Sequence, residues 1–338
     1  NDKSPQIRRK FLCKNVEILR IKQKSRQGAI IMNSQDQEVL LKNLKALAKE
    51  NNLDISAEIA KIEQKMETSA RAVDRVWEKV SIARNPERPR TLDYIEMIFD
   101  DFTELHGDRL YGDDPAMIGG IGFLNGMPVT VIGNMKGRNL KETIERNGGM
   151  ANPEGYRKAL RLARQAEKFH RPIISFIDTS GAYSGQGAEE RGVGEAIAMN
   201  LREFSRLKTP IICIIIGEGG SGGALGIGVG DKIYMLENTI YSVISPEGCA
   251  SILLRDSTRA KDAAAMLKIT SQDVMDLKVI NGIIPEVEGG AHNDPQAAAL
   301  AIKKQIVADL EDLTKRNPAV LVKYRVKKIR SMGSFYSD

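Results

Sequence analysis

The residues best placed to do chemistry lie in two glycine-rich stretches. Gly217-Glu-Gly-Gly-Ser-Gly-Gly-Ala-Leu-Gly-Ile-Gly-Val-Gly230 follows the apolar run Pro210–Ile216 and leads into a short helix. Glycine lets a ligand approach the backbone closely, and the first N–H groups of a helix lack partners within it. Such a turn stabilises negative charge. A second stretch, Asp178-Thr-Ser-Gly-Ala-Tyr-Ser-Gly-Gln-Gly-Ala-Glu-Glu-Arg-Gly192, leaves the apolar run Pro172–Asp178 in the same way.

Three chemistries compete for the first stretch. A P-loop is excluded, because no Lys-Ser/Thr pair follows the glycines. A dinucleotide turn fits better: Gly217, Gly219 and Gly222 spell GxGxxG after a strand, with Glu237 twenty residues on. Against it, the following helix is short and carries Gly226 and Gly228, whereas a crossover helix is longer and bulkier. The third is an oxyanion hole, in which backbone amides hold a developing negative oxygen. It needs no reactive side chain, and few are on offer. His106, His170 and His292 are the only histidines, and no metal cluster or Ser–His–Asp spacing stands near either stretch. Tight packing accounts for Gly226, Gly228 and Gly230, but small residues this dense at Gly219–Gly223 exceed what packing requires.

The elements that position these stretches read as strand–loop–helix units. Ile118–Leu124 and Val129–Gly133 flank Asn125-Gly126, a strong hairpin signal. Helices are expected over Tyr156–Phe169, Val193–Leu207, Arg259–Lys268, Pro295–Lys315 and Ala319–Arg330, with short strands at Lys232–Leu236 and Ile240–Ser245. Continuous apolar strands imply a sheet covered on both faces. From Gln37 to Asn85 the apolar residues recur at helical spacing (Val39, Leu40, Leu44, Leu47; then Ile55, Ile59, Ile62, Met66), broken by Asn51-Asn52 and Asp54. The expected organisation is a basic extension over 1–33, a helical hairpin arm over 34–90, and the body over 91–338. Met32 is a candidate native start.

Charge narrows the partners. The formal net charge is +6. Residues 1–33 hold nine Lys/Arg against Asp2 and Glu17, so the remaining 305 residues carry 41 basic and 42 acidic side chains. A neutral body with aromatics at 5% argues against nucleic acid. Cys13, Cys213 and Cys249 are too scattered for a disulfide framework or a zinc site. No apolar run reaches the roughly 18 residues of a membrane span. A reducing, cytoplasmic home is expected, or the plastid stroma in a plastid-bearing organism.

The motifs resemble a known family. Asp178-Thr179, Gly181-Ala182-Tyr183, Ala188-Glu-Glu-Arg-Gly192, Gly217-Glu-Gly-Gly-Ser-Gly-Gly-Ala-Leu225 and Tyr241-Ser-Val-Ile-Ser-Pro-Glu-Gly248 closely resemble the carboxyltransferase alpha subunit of multisubunit acetyl-coenzyme A carboxylase. So do Leu105-His-Gly-Asp-Arg109, Pro153-Glu-Gly-Tyr-Arg-Lys-Ala-Leu-Arg161 and Ile284-Pro-Glu with Gly289-Gly-Ala-His292. The resemblance runs in order over roughly residues 37–335.

It implies an α/β, crotonase-like fold of repeated ββα units with an N-terminal helical arm. It implies transfer of a carboxyl group from carboxybiotin, carried on the biotin carboxyl carrier protein, to acetyl-coenzyme A, giving malonyl-coenzyme A for fatty acid biosynthesis. The implied partners are a beta subunit in an alpha2–beta2 core, the carrier protein and biotin carboxylase. Zinc belongs to the beta subunit, and this chain holds no metal. The implied catalytic groups are the amides of Gly222 and Gly223, receiving the biotin ureido oxygen, with Ala224 one register away. Gly219, Gly220, Ser221, Gly181, Ala182 and Tyr183 shape the binding surface. The rival remains a dinucleotide-dependent oxidoreductase.

The sequence departs from the family pattern at Ser180 and Ser184, where members usually have proline or lysine, and proline. Asn134-Met135 replaces a His-Gln pair, and Gly148 an aromatic. Lys136, Arg138 and the set Lys323, Arg325, Lys327, Lys328 and Arg330 read as solvated charge. On this reading Gly223→Val lowers transfer about a hundredfold or more and leaves the melting temperature nearly unchanged. Gly228→Val, by overpacking, costs roughly 1–3 kcal/mol.

Overall fold

The structure, a computed structural model, describes residues 34–50 and 54–333. The basic extension 1–33 with Cys13, the turn residues Asn51-Asn52, and the side chains of Leu40 and Leu47 lie outside the described residues. The chain divides into two compact units at Ala72–Val73. The first holds α1 (Ser34–Glu50) and the start of α2 (Ser56–Ala83). Asp54 Oδ1 accepts from the Ser56 N–H at 3.2 Å, covering a free helix-start donor. Lys45 and Glu63 pair at 2.7 Å, and Ile62 stays 37% exposed.

The second unit is built on an eight-stranded sheet. Its strands are β1 (Asp100–Glu104), β2 (Met117–Leu124), β3 (Met127–Asn134) and β4 (Ile173–Thr179), then β5 (Ile211–Gly220), β6 (Lys232–Leu236), β7 (Ile240–Ser242) and β8 (Gly282–Ile284). Their order is β1-β2-β3-β4-β5-β6-β8, with β7 pairing the end of β5. β2 and β3 form the expected hairpin, and Asn125 and Gly126 at φ 50° and 80° make the turn that matches the strand twist. From β3 onward the ladders are parallel. Parallel pairing requires crossovers, which the helices supply.

Alternate residues of the buried strands face opposite layers. Ile211, Cys213 and Ile215 pack with α4 (Pro153–Lys168) and α5 (Val193–Phe204). Ile212, Ile214 and Ile216 pack with α3 (Thr91–Ile98) and α7 (Pro295–Leu313), leaving α6 for the short helix Ser221–Leu225 and α8 for Pro318–Arg330. Each fully buried isoleucine contributes about 1.5–3 kcal/mol. Pro153, Pro295 and Pro318 each open a helix where a missing N–H costs nothing.

Two expectations need correction. The glycine stretch is not wholly a loop: β5 continues to Gly220, because β7 pairs with Glu218, Gly219 and Gly220. The basic face of α8 is not wholly solvated either. Arg325 is 1% exposed, pairs with Asp231 at 2.7 Å, and donates to the carbonyls of Phe204, Leu207 and Thr209. Lys328 donates to the carbonyls of Gly230 and Asp231, and burial lowers its pKa to about 8. Periodicity cannot separate a long cation reaching inward from one facing water. Arg325→Met leaves the Asp231 carboxylate without its ion-pair partner, held only by the Ile211 N–H, and takes the donor from three carbonyls. A loss of about 3–5 kcal/mol in a urea titration is expected, and a change within error would remove Arg325 from the structural core.

Candidate active site

Two parallel strand ends build the site. β4 ends at Thr179 and β5 at Gly220, with Thr179 opposite Gly219 across the ladder. Beneath them lies a cluster of buried charges. Asp178 Oδ1 accepts from Lys136 Nζ at 2.8 Å and from the Glu218 N–H at 3.0 Å. Its Oδ2 accepts from Arg90 at 3.1 Å. Lys136 also pairs with Glu218 at 2.9 Å, and Arg84 joins Glu218 and Glu247 at 2.7 Å each.

Burial opposes every charge here, but opposite charges prevail. Lys136 is held above the usual lysine range, because Asp178 and Glu218 outweigh its desolvation. Asp178 is held low by Lys136 and Arg90, and Glu218 by Lys136 and Arg84, in both cases against burial. Gly217 completes the fit: a Cβ there would stand 2.3 Å from Asp178 Oδ1. The sequence-based placement of Lys136 in solvent is therefore corrected. Arg138 is half-exposed and pairs with Asp93.

Above the cluster the two stretches touch through bare backbone. A Cβ on Gly220 would lie 2.1 Å from the Ser180 carbonyl oxygen, and one on Gly223 would lie 2.3 Å from the Gly181 carbonyl carbon. Thr179 Oγ1 donates to the Gly181 carbonyl at 2.6 Å, tightening the turn. The Tyr183 N–H donates to the Ala151 carbonyl at 3.1 Å, tying the second stretch to the approach to α4. The Tyr183 ring packs on the core beside Ala182.

Ser221 opens α6 at φ 49°, in the left-handed region, and is exposed. The chain thus turns sharply from strand to helix. In a helix starting there, Ala224 is the first amide with a carbonyl four residues back, that of Gly220. The amides of Ser221, Gly222 and Gly223 have no such partner. A Cβ on Gly222 would meet only Ile197, at 3.6 Å.

The structure brings Gly181, Ala182, Gly219, Gly220, Ser221, Gly222, Gly223 and Ala224 into one small region of adjoining strand ends. It corrects the expected behaviour of Gly223→Val. Gly223 is buried against Gly181, so any side chain there displaces backbone and costs fold as well as chemistry. The GxGxxG reading also fails on geometry. Gly217 and Gly219 lie inside β5, the helix that follows has five residues, and Glu237 is engaged by Lys79 and the Glu286 N–H. Sequence reasoning missed Arg84 and Arg90 altogether; Arg90, beside Pro89 at the boundary, was its one available signal. Among the described residues no group of three or more His, Cys, Asp or Glu is placed to hold a metal, and no helix is long and apolar enough to cross a membrane.

A parallel sheet with a hairpin at one side and glycine turns at adjoining strand ends has the crotonase-like architecture. Solved structures share the fold. Transcarboxylase 12S superposes with a TM-score of 0.56 at 18% identity, over 68% of this chain and 42% of that one. A subunit of a Pseudomonas malonate decarboxylase hetero-tetramer superposes at 0.55 and 16% identity, over 71% of this chain and 94% of that one. The family described as acetyl co-enzyme A carboxylase carboxyltransferase-like matches residues 33–333. The carboxyl transferase subunit alpha of acetyl-coenzyme A carboxylase from Treponema denticola is 77% identical over 304 residues, 90% of this chain and 99% of that protein. Its counterpart from Halalkalibacterium halodurans is 52% identical, over 87% of this chain and 92% of that protein. The chain belongs to this carboxyltransferase alpha-subunit family.

The charge cluster makes a pH-dependent prediction. Asp178 and Glu218 are held low, so their stabilisation is complete above about pH 4 and is lost as pH falls through their folded values. Lys136→Met removes the cation that Asp178 and Glu218 share, leaves the cluster one positive charge short with only Arg90 and Arg84 as their ion-pair partners, and should cost about 3–5 kcal/mol at neutral pH. Urea titrations should show that deficit narrowing below about pH 4, as the carboxylates protonate. A deficit equal at all pH values would assign the loss to packing instead.

Proposed function

We propose that this chain is the alpha subunit of an acetyl-coenzyme A carboxylase carboxyltransferase, working in the cytoplasm with a zinc-bearing beta subunit in an alpha2–beta2 core. The carboxyl group comes from carboxybiotin on the biotin carboxyl carrier protein, which biotin carboxylase recharges. It goes to acetyl-coenzyme A, giving malonyl-coenzyme A. The carbon–nitrogen bond to biotin breaks, a carbon–carbon bond forms at the thioester methyl, and the methyl proton ends on the ureide.

What supports this reading is the amide pair of Gly222 and Gly223, which have no partner within their own helix, at a strand-to-helix turn over a neutralised charge cluster. Negative charge gathers on the ureido oxygen as the carbon–nitrogen bond breaks, and amides already aimed there lower the barrier. One such donor is worth about 3–4 kcal/mol. The Ala224 amide is engaged by Gly220 in the helical register, which favours Gly222 and Gly223. Gly219 and Gly220 fix the turn, and Gly181, Ala182 and Tyr183 wall the opposite side, with Ser221 at the rim. The arm over 34–90 presents half-buried Ile55 just before α2 and half-buried Ile59 and Met66 along it, a stripe suited to a partner surface.

The test is the reverse reaction. Chain mixed with beta subunit, biotin and malonyl-coenzyme A should form acetyl-coenzyme A, and either subunit alone should not. Tight NAD binding without that activity would overturn the reading. Within the active complex, Gly222→Val should cut transfer by about 10²–10³ and move the melting temperature little, since an added Cβ there meets Ile197 at 3.6 Å, an ordinary van der Waals contact. Gly223→Ala should lose stability and transfer together. Near wild-type transfer by a folded Gly222→Val would rule out the amide assignment.

A further inference from the structure

A cleft of about 620 Å³ is lined by α4 and α5, with residues 108–110 along one rim and Arg191-Gly192, the end of the second glycine stretch, beside them. Five arginines line it against two carboxylates, Asp108 and Glu195. Three arginines are neutralised: Arg157 by Asp108 at 2.7 Å, Arg191 by Glu154 at 2.9 Å, and Arg164 by Glu203 at 3.0 Å. Arg109 and Arg161 are not. Among the described residues, Arg109 donates to the His106 carbonyl at 2.7 Å, and Arg161 to those of Gly107, Leu105 and His106 at 3.0, 3.1 and 3.3 Å. Neither has a carboxylate within ion-pair distance. Burial and then the nearby Arg109 charge hold Arg161 below the usual range, with Asp113 and Asp108 offsetting only part.

Two like charges kept side by side need a reason, because repulsion would otherwise splay them apart. The loop does not allow that. Asp108 Oδ1 accepts from the N–H groups of Leu110, Tyr111 and Gly112 at 2.9, 2.8 and 3.0 Å, and Arg109 is fixed at φ 68°. The cations are therefore positioned before any ligand arrives. Leu160, Ala196 and Met199 supply an apolar floor. Convergent guanidinium groups suit phosphate oxygens, and a cleft of this volume with an apolar floor accommodates a nucleoside-sized body.

We propose that this cleft binds the phosphate-bearing end of a nucleotide-class ligand, with Arg109 and Arg161 as its phosphate contacts. Two sources carry that chemistry: a coenzyme ending in a nucleoside 3′-phosphate, and a free nucleoside diphosphate. Equilibrium binding of 3′,5′-ADP and of 5′-ADP to the full chain distinguishes them. One of the two should bind saturably below millimolar concentration and more weakly at higher salt. R109Q and R161Q should each weaken it by about tenfold or more. R138Q, whose partner Asp93 lies outside the cleft, should leave it unchanged. Arg161 also holds the loop carbonyls, so R109Q decides if R161Q fails to fold; circular dichroism checks both. Absence of binding by either nucleotide at millimolar concentration, or wild-type affinity in folded R109Q, would overturn the proposal.

Discussion

Lys136 stands between Asp178 and Glu218, and the position of both glycine turns follows from that contact. Asp178 is the penultimate residue of β4 and Glu218 lies two residues before the end of β5. Joining them through one ammonium fixes the stagger of the two strand ends at the point where the ladder slips between Ile177 and Thr179. Arg90 and Arg84 then tie the same carboxylates to the segment that precedes the sheet. A buried charge left alone would be costly. Every member therefore constrains the others, and the turns above inherit that rigidity.

On the proposed reading, rigidity matters because the chemistry relies on backbone. An amide cannot be tuned by substitution or titrated into a new state; it can only be held in place. Preorganised donors act without reorganisation cost when charge develops. The structure meets that requirement by close packing of bare backbone, Gly220 against Ser180 and Gly223 against Gly181. Ser180 and Ser184 supply none of the fixed φ that a proline would. The Thr179 hydroxyl bond to Gly181 and the Tyr183 bond to Ala151 restrain the same stretch by other means.

Much of this was legible in the residues. The hairpin at Asn125-Gly126, the buried runs of β4 and β5 and the proline opening α7 announce themselves through local rules of turn chemistry and periodicity. So do the two glycine stretches as a site, whereas α4 and α8 start at Pro153 and Pro318, ahead of the expected Tyr156 and Ala319. What stayed hidden depends on distance along the chain. Lys136, Arg325 and Lys328 looked like surface charge because their partners Asp178, Glu218 and Asp231 are remote in sequence and only the sheet brings them together. The extension of β5 to Gly220 was missed because β7 stabilises it from outside, overriding glycine's poor strand propensity. Gly223 passed for an open loop position for the same reason: the backbone it touches belongs to another strand.

On the proposed reading, the buried cluster positions the amides that receive the ureido oxygen. The most direct measurement is the single-turnover rate of carboxyl transfer by Lys136→Met in complex with the beta subunit, under conditions where the variant is folded. Lys136 touches no reacting atom in this account. Loss of about tenfold or more in rate with unchanged carrier affinity is expected, because a misplaced donor forfeits transition-state stabilisation alone. A folded variant that transfers at the wild-type rate would contradict the account.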